Sequence, residues 1–221
     1  YYKYKIQKLF FVVLFTIFVI HMDLFNTSRI NNILPFDGTA NYHGEILTTA
    51  QCAFFYDTFM KTIPWKNDEA IIFGKKIITK RKVAWYGASE FSYTYSKVTK
   101  KALVFTKELL DLKEIIEKES NETYNSCLLN LYHTGEEGMA WHSDGEKMLK
   151  KNGAIASVTL GATRKFSFKH KETKQNVSIV LENGSLLVMK DATQTHWLHR
   201  LPPTKKVNSP RINLTFRTIE L

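Results

Sequence analysis

In Trp141-His142-Ser143-Asp144, His142 and Asp144 are separated by one residue. On an extended strand, where side chains alternate between faces, both point to the same side. Two such groups are the beginning of a metal site. Two histidines and one carboxylate, with the remaining coordination positions left open for small molecules, make the facial triad of non-haem Fe(II) oxygenases. The third ligand has to arrive from a distant strand, and His196 and His199 stand three residues apart far downstream. Spacing alone rejects neither. His-x-Asp by itself is a weak signal, because two polar neighbours at a strand end are more often a solvated turn.

A second polar row follows in Pro210-Arg211-Ile212-Asn213-Leu214-Thr215-Phe216-Arg217, where Arg211, Asn213, Thr215 and Arg217 alternate with apolar residues. As a strand it has one apolar face and one polar face with an arginine at each end. The plain alternative is an amphipathic strand whose arginines face water. The chemical reading is a clamp: a guanidinium holds a carboxylate through two parallel hydrogen bonds, and a dicarboxylate lying across a metal needs donors at both ends. Asn130 and Tyr132 in Leu128-Leu129-Asn130-Leu131-Tyr132 alternate in the same way and add an amide and a phenol to such a face.

The set Asn130-x-Tyr132, His142-x-Asp144, His199 and Arg211-x-Asn213-x-Thr215-x-Arg217 resembles the AlkB family of Fe(II)- and 2-oxoglutarate-dependent nucleic-acid demethylases. The stretches Gly184 to Met189, Thr195 to Pro202 and Pro210 to Arg217 are similar, nearly without gaps, to the bacterial and animal branch whose members repair DNA. The resemblance covers roughly residues 55 to 221. It implies Fe(II) held by His142, Asp144 and His199, the His-x-Leu-Pro ending selecting His199 over His196. It also implies 2-oxoglutarate bound through its keto-acid end to the metal. Arg211 would hold the distal carboxylate with Tyr132 and Asn213, and Arg217 and Asn130 would attend the end near the metal. With O2 the implied reaction hydroxylates an N-methyl carbon of 1-methyladenine or 3-methylcytosine in DNA, releasing formaldehyde, succinate and carbon dioxide. The same chemistry on RNA or protein is the alternative, and an inactive nucleic-acid-binding module is a third. Glu146 would read the exocyclic amine of the lesion. The resembling relatives carry an acidic residue directly after the ligand aspartate, where this chain has Gly145 and no side chain to make a contact.

These residues need strands to present them. Ser126 to Tyr132, Ala154 to Gly161, Lys165 to His170, Asn176 to Leu181, Ser185 to Lys190, a piece near His199 and Arg211 to Ile219 all read as short strands separated by turn residues. Many short strands with two helices mean a mainly β protein with flanking helices, and a double-stranded β-helix, a jelly roll with the metal at one mouth, is the expected architecture. Leu47 to Met60 has a threonine cap candidate and apolar residues at helical spacing. Ala102 to Glu119 repeats apolar residues every three or four positions and should buttress the sheet.

Glu69 to Lys82 alternates β-branched residues around a Phe-Gly-Lys turn and reads as a hairpin. Phe73 near its tip is either a core residue or an apolar wedge of the kind that fills a duplex when a base is extruded. In the resembling branch a hairpin here carries such a finger, which makes Phe73 the candidate in an N-terminal nucleotide-recognition hairpin. Tyr93 and Tyr95 share one strand face. Either they cover the core, or Tyr95 stacks on an extruded base opposite His142 while Tyr93 contacts a phosphate or base edge.

The chain has 221 residues and a formal charge of +10, which favours polyanionic partners, alkylated DNA or RNA, over acidic proteins. Cys52 and Cys127 form no C-x-x-C pair, so neither a disulfide framework nor a zinc site is indicated and the cytoplasm fits, nucleoid-associated in a bacterium. Lys3, Lys5 and Lys8 precede the apolar run Leu9 to Ile20, shorter than the ~20 residues of a membrane span. No small-x-small cleavage site follows. Residues 1–21 are therefore expected to be translated upstream sequence, with Met22 as the start and membrane anchoring as the alternative. The organisation expected is an irregular arm over 22–46, helices and hairpin over 47–125, and a catalytic core over 126–221, with 47–221 one folded unit acting as a monomer without stable membrane association.

Overall fold

Alternation along two strands decides the architecture. In β8 (Ser126–Tyr132) and β15 (Arg211–Arg217), Cys127, Leu129, Leu131, Ile212, Leu214 and Phe216 are almost wholly buried in one core. The residues between them face the opposite side. The strands pair antiparallel with Arg211 beside Tyr132 and Asn213 beside Asn130, so their polar rows share one face. β10 (Ile155–Gly161) pairs with β15, Thr159 beside Asn213, and adds Ser157 and Thr159 to it.

The structure is a computed structural model that describes residues 31–72, 75–95 and 98–220. The leader expected at residues 1–21 and the wedge candidate Phe73 lie outside the described residues, as do the side chains of Tyr93 and Tyr95. The first described strand, β1 (Asn31–Asn32), is two residues long. From Asn32 onward the chain is one compact unit.

The large sheet is completed by β2 (Thr39–Glu45), β3 (Lys66–Ile72), β4 (Lys75–Gly87) and β13 (Ser185–Lys190). It runs β2-β13-β10-β15-β8-β4-β3, with the short β7 (Leu103–Val104) parallel on β4. A smaller sheet runs β12-β11-β14-β9, from β9 (Met139–His142), β11 (Arg164–His170), β12 (Asn176–Leu181) and β14 (Trp197–Leu201). Leu187 and Met189 of β13 and Ile155 of β10 meet Phe168, Leu181 and Trp197 of the smaller sheet in a second core. Two antiparallel sheets closed over such a core are the jelly roll expected from the sequence. β5 (Ser92–Tyr95) and β6 (Val98–Lys101) form a separate hairpin.

The outer face of the large sheet is covered by α1 (Thr49–Thr62) and α2 (Lys107–Ser120). Thr48 caps α1, and the Gln51 side chain accepts in return from the Thr48 N–H, so two amides at the helix end are satisfied together. Phe55 and Phe59 of α1 and Leu109, Leu112 and Ile116 of α2 share one core with the apolar residues of β8, β10 and β15. Truncating Phe59, 0% exposed, to alanine should cost about 3–5 kcal/mol.

Two expectations need correction. The irregular arm over 22–46 contains a strand: Thr39–Glu45 is β2, paired with β13. Its stability comes from a partner far along the chain, so its turn-forming residues gave no local sign of it. The helix expected from Ala102 begins at Lys107, because Thr106 is the cap and accepts from the Leu109 N–H. The preceding Leu103 and Val104 are drawn off by pairing with Tyr86 and Gly87.

Candidate active site

The smaller sheet brings the metal candidates together. β9 and β14 pair antiparallel with His142 beside His199, and the two imidazole centroids lie 4.3 Å apart. Gly138 makes the approach feasible, since a Cβ there would sit 2.5 Å from the Leu201 carbonyl oxygen. Asp144 follows in the turn after β9, with its Oδ1 3.8 Å from His142 Nε2. One ligand atom from each of the three residues lies within 4.8 Å of the others.

Protonation favours ligation. His142 Nδ1 lies 2.8 Å from the Ala140 carbonyl oxygen, which can only accept, so the ring donates there and keeps a lone pair on Nε2. His199 is buried, its ring stacked on Phe166 with centroids 5.5 Å apart. Burial lowers its pKa to about 4, so the ring is neutral near pH 7. For Asp144, burial opposes ionisation. Arg217, then His199 and His142, more than offset this and hold its carboxyl below the usual range. Arg217 Nη2 donates to Asp144 Oδ2 at 2.9 Å.

The second group lies across the same cleft, a space of about 1280 Å³ between the mouths of the two sheets. Arg211 is 2% exposed. Its Nη2 donates to Thr159 Oγ1 at 2.8 Å, its guanidinium lies 5.7 Å from the centre of the Tyr132 ring, and its Nε has no partner. No carboxylate among the described residues pairs with it, and burial lowers its pKa to about 10. A buried guanidinium without an anion is a site built for one.

The other expected residues line the cleft in different states. Asn130 Oδ1 accepts from Arg81 Nη1 at 2.6 Å, and Arg81 is also paired with Asp68. The Asn213 amide nitrogen is engaged with Ser157 Oγ at 2.8 Å and the Val158 carbonyl at 3.0 Å. Glu146 is exposed at the mouth, and Gly145 beside it has open space around it. The backbone of Tyr93 and Tyr95 belongs to β5, whose partner strand β6 ends at Lys101, a residue of the cleft lining.

His196 belongs elsewhere, in a second cluster with Asp37 and His170. There His170 Nδ1 accepts the Thr173 N–H at 3.1 Å, which places the ring proton on Nε2, 3.3 Å from Asp37 Oδ2. A protonated nitrogen has no lone pair for a metal. This cluster ties the segment before β2 to the smaller sheet, helped by Trp197 Nε1 donating to the Phe36 carbonyl at 3.0 Å.

Four groups around the site escaped the sequence reading. Ser157 and Thr159 alternate on β10 as the recognised pairs do on β8 and β15, so their period was visible. Arg81 gave no signal beyond its place in a basic run. Neither did Gln194, whose Oε1 accepts the Asp144 N–H at 2.9 Å.

The profile of the 2OG-Fe(II) oxygenase superfamily matches residues 40–217. The chain is 38% identical over 167 residues to the Alpha-ketoglutarate-dependent dioxygenase alkB homolog 3 of Homo sapiens, covering 71% of this chain and 58% of that protein. It is 39% identical over 158 residues to the DNA oxidative demethylase ALKBH2 of Homo sapiens, covering 68% of this chain and 60% of that protein. The matched region thus spans about three fifths of these relatives. The solved structure of OsALKBH1 shares the fold, with a TM-score of 0.58 at 15% identity over 84% of this chain and 98% of that one.

Proposed function

Because the chain belongs to the 2OG-Fe(II) oxygenase superfamily, and within it to the AlkB family, we propose that it oxidatively demethylates N-alkylated bases, 1-methyladenine and 3-methylcytosine, in DNA. Fe(II), 2-oxoglutarate and O2 are the cofactor and co-substrates of that superfamily. The observation that carries the proposal is one cleft holding both the His142, Asp144 and His199 trio and the buried Arg211, which has no carboxylate partner among the described residues. Among the relatives' names, the dioxygenase supports the reaction class and the DNA oxidative demethylase supports the substrate class.

His142 Nε2, the Asp144 carboxylate and His199 would hold the metal, their donor set of two imidazoles and one carboxylate being that of an Fe(II) oxygenase site. When bound, Fe(II) supplies the oxidation, which consumes O2 and 2-oxoglutarate and yields succinate, carbon dioxide and a hydroxymethyl group that leaves as formaldehyde. The protein's own residues do the rest. Arg211 forms the ion pair with the distal carboxylate of 2-oxoglutarate, with Thr159 fixing the direction of its fork and Tyr132 forming the wall beside it. Asn213 braces that wall through Ser157 and Val158. Arg217 holds the Asp144 carboxylate ionised, and with Asn130 attends the metal end of the co-substrate. Phe166 shields His199 from water. Glu146 at the mouth accepts from the exocyclic amine of the base, Tyr93 and Tyr95 contact the nucleotide, and Phe73 occupies the space the base leaves in a duplex.

Among the described residues no helix is long and apolar enough to cross a membrane. Both thiols, Cys52 and Cys127, are buried and unpaired, which supports action in a reducing compartment such as the cytoplasm. The net charge of +10 supports a polyanionic substrate.

The deciding experiment is nucleoside mass spectrometry on single- and double-stranded oligonucleotides carrying 1-methyladenine or 3-methylcytosine, with Fe(II), ascorbate and 2-oxoglutarate, beside Asp144→Ala. Loss of the methyl group only with Asp144 intact is expected. Succinate without loss from DNA would move the substrate to RNA or protein. No succinate would leave a nucleic-acid-binding module without catalysis.

A further inference from the structure

Asp144 is not on a strand. It sits in the turn after β9, where no sheet hydrogen bond fixes its backbone. A ligand on a loop holds a metal only as well as the loop is held. Its N–H is directed to Gln194 Oε1 at 2.9 Å, and the Gln194 amide nitrogen reaches back to Met189 Sδ at 3.8 Å. Gln194 lies in the short helical turn α3 (Thr193–His196), whose end runs directly into β14, the strand of His199. α3 is itself pinned, since buried Thr193 Oγ1 donates to a backbone carbonyl and accepts the Thr39 N–H at 2.8 Å.

A second tie runs beside the first. Lys171 Nζ donates to the Gln194 carbonyl at 2.9 Å and lies 3.2 Å from Ser143 Oγ, and the Lys171 N–H donates to the His196 carbonyl at 2.8 Å. The turn that carries Asp144 is thereby bracketed to the segment that delivers His199. The distance between two ligands that come from opposite ends of the catalytic region is thus held by the Gln194 side chain, with Lys171 beside it.

We infer that Gln194 is a positioning residue for the metal site: its carboxamide fixes the backbone of Asp144 relative to His199, and so sets the affinity and geometry with which the trio takes a divalent cation. The inference rests on the reading of His142, Asp144 and His199 as metal ligands. Gln194 touches neither metal nor substrate. Nothing else in its surroundings requires a carboxamide, because Met189 would pack equally well against an apolar side chain.

The test is titration of the full chain, freed of metal with chelator, with Co(II), read by visible absorption, whose band intensity reports the ligand arrangement. Wild type, Asp144→Ala, Gln194→Met and Gln194→Glu are compared. Gln194→Met, of similar shape without the acceptor, should bind Co(II) about 10–100-fold more weakly, as loss of an outer support typically does, with an altered band. Gln194→Glu keeps an acceptor oxygen and should return the wild-type band. Binding by Gln194→Met within about two-fold of wild type, with an unchanged band, overturns the inference while leaving the metal reading intact. Equal Co(II) binding by wild type and Asp144→Ala fails the metal reading itself, and the inference falls with it. Should Gln194→Met not fold, Gln194→Ala, which admits water instead of blocking it, carries the same expectation and the same refutation.

Discussion

Arg217 and Asp144 form an ion pair at 2.9 Å in which both side chains are largely buried, 13% and 5% exposed. The last strand of the jelly roll thus supplies the counter-charge for the one acidic member of the metal trio. Removing one partner of a buried pair leaves the other charged and desolvated, at a typical cost of about 3–5 kcal/mol. Arg217→Met should destabilise the metal-free protein by about that amount in urea unfolding. Mn(II) should restore part of the loss, because the cation replaces the guanidinium beside Asp144. A loss under about 1 kcal/mol would show that the pair behaves as a solvated one.

Arg211 makes the opposite prediction. It is buried with no carboxylate partner among the described residues, and burial already depresses its pKa to about 10. Arg211→Met should therefore leave the ligand-free protein as stable as wild type or more so, while 2-oxoglutarate affinity falls by about 100-fold or more. Thermal melting with and without 2-oxoglutarate separates the two effects. A variant that melts lower yet is still stabilised by 2-oxoglutarate would remove Arg211 from the co-substrate site.

Acid should weaken the metal-free protein through His199. Its pKa is about 4 in the folded chain against 6.5 for an unperturbed imidazole, so between those values the unfolded chain binds the extra proton. The stability conferred is present above about pH 6.5 and is lost as pH falls toward 4, on the order of 3 kcal/mol in all. Asp144, whose pKa is also lowered, adds a loss of the same sign at lower pH. Urea unfolding of wild type and His199→Gln at pH 7 and pH 4.5 checks it: the wild type should fall by more. Parallel losses in the two proteins would place the effect elsewhere.

The legible parts of this site are those whose period announces itself. Asn130-x-Tyr132 and Arg211-x-Asn213-x-Thr215-x-Arg217 alternate on single strands, so each polar face is visible in the residue order alone, and the apolar residues between them mark the jelly-roll core. β2 is not visible in that way, since only its pairing with β13 makes Thr39–Glu45 a strand. The choice between His196 and His199 is beyond spacing as well. It is made by the parity of β14, which turns His199 toward His142, while His196 ends α3 beside His170. Gln194 and Arg81 act through partners 50 and 49 residues away, a separation that no local pattern encodes.

The hairpin of β3 and β4 bears on the choice between duplex and single strand. Its strands pair as far as Ile72 and Lys75, which leaves Phe73 and Gly74 as the connection in the sequence. Extruding a paired base costs a few kcal/mol of unstacking, and an apolar side chain that enters the gap recovers part of it, whereas a single strand has no gap to fill. Phe73→Ala should therefore slow methyl removal from duplex oligonucleotides by about ten-fold or more and leave single-stranded substrates within about two-fold of wild type. Rates on matched single- and double-stranded 1-methyladenine oligonucleotides decide it. Equal losses on both would return Phe73 to an ordinary hairpin residue and assign the recognition of the base to the mouth around Glu146.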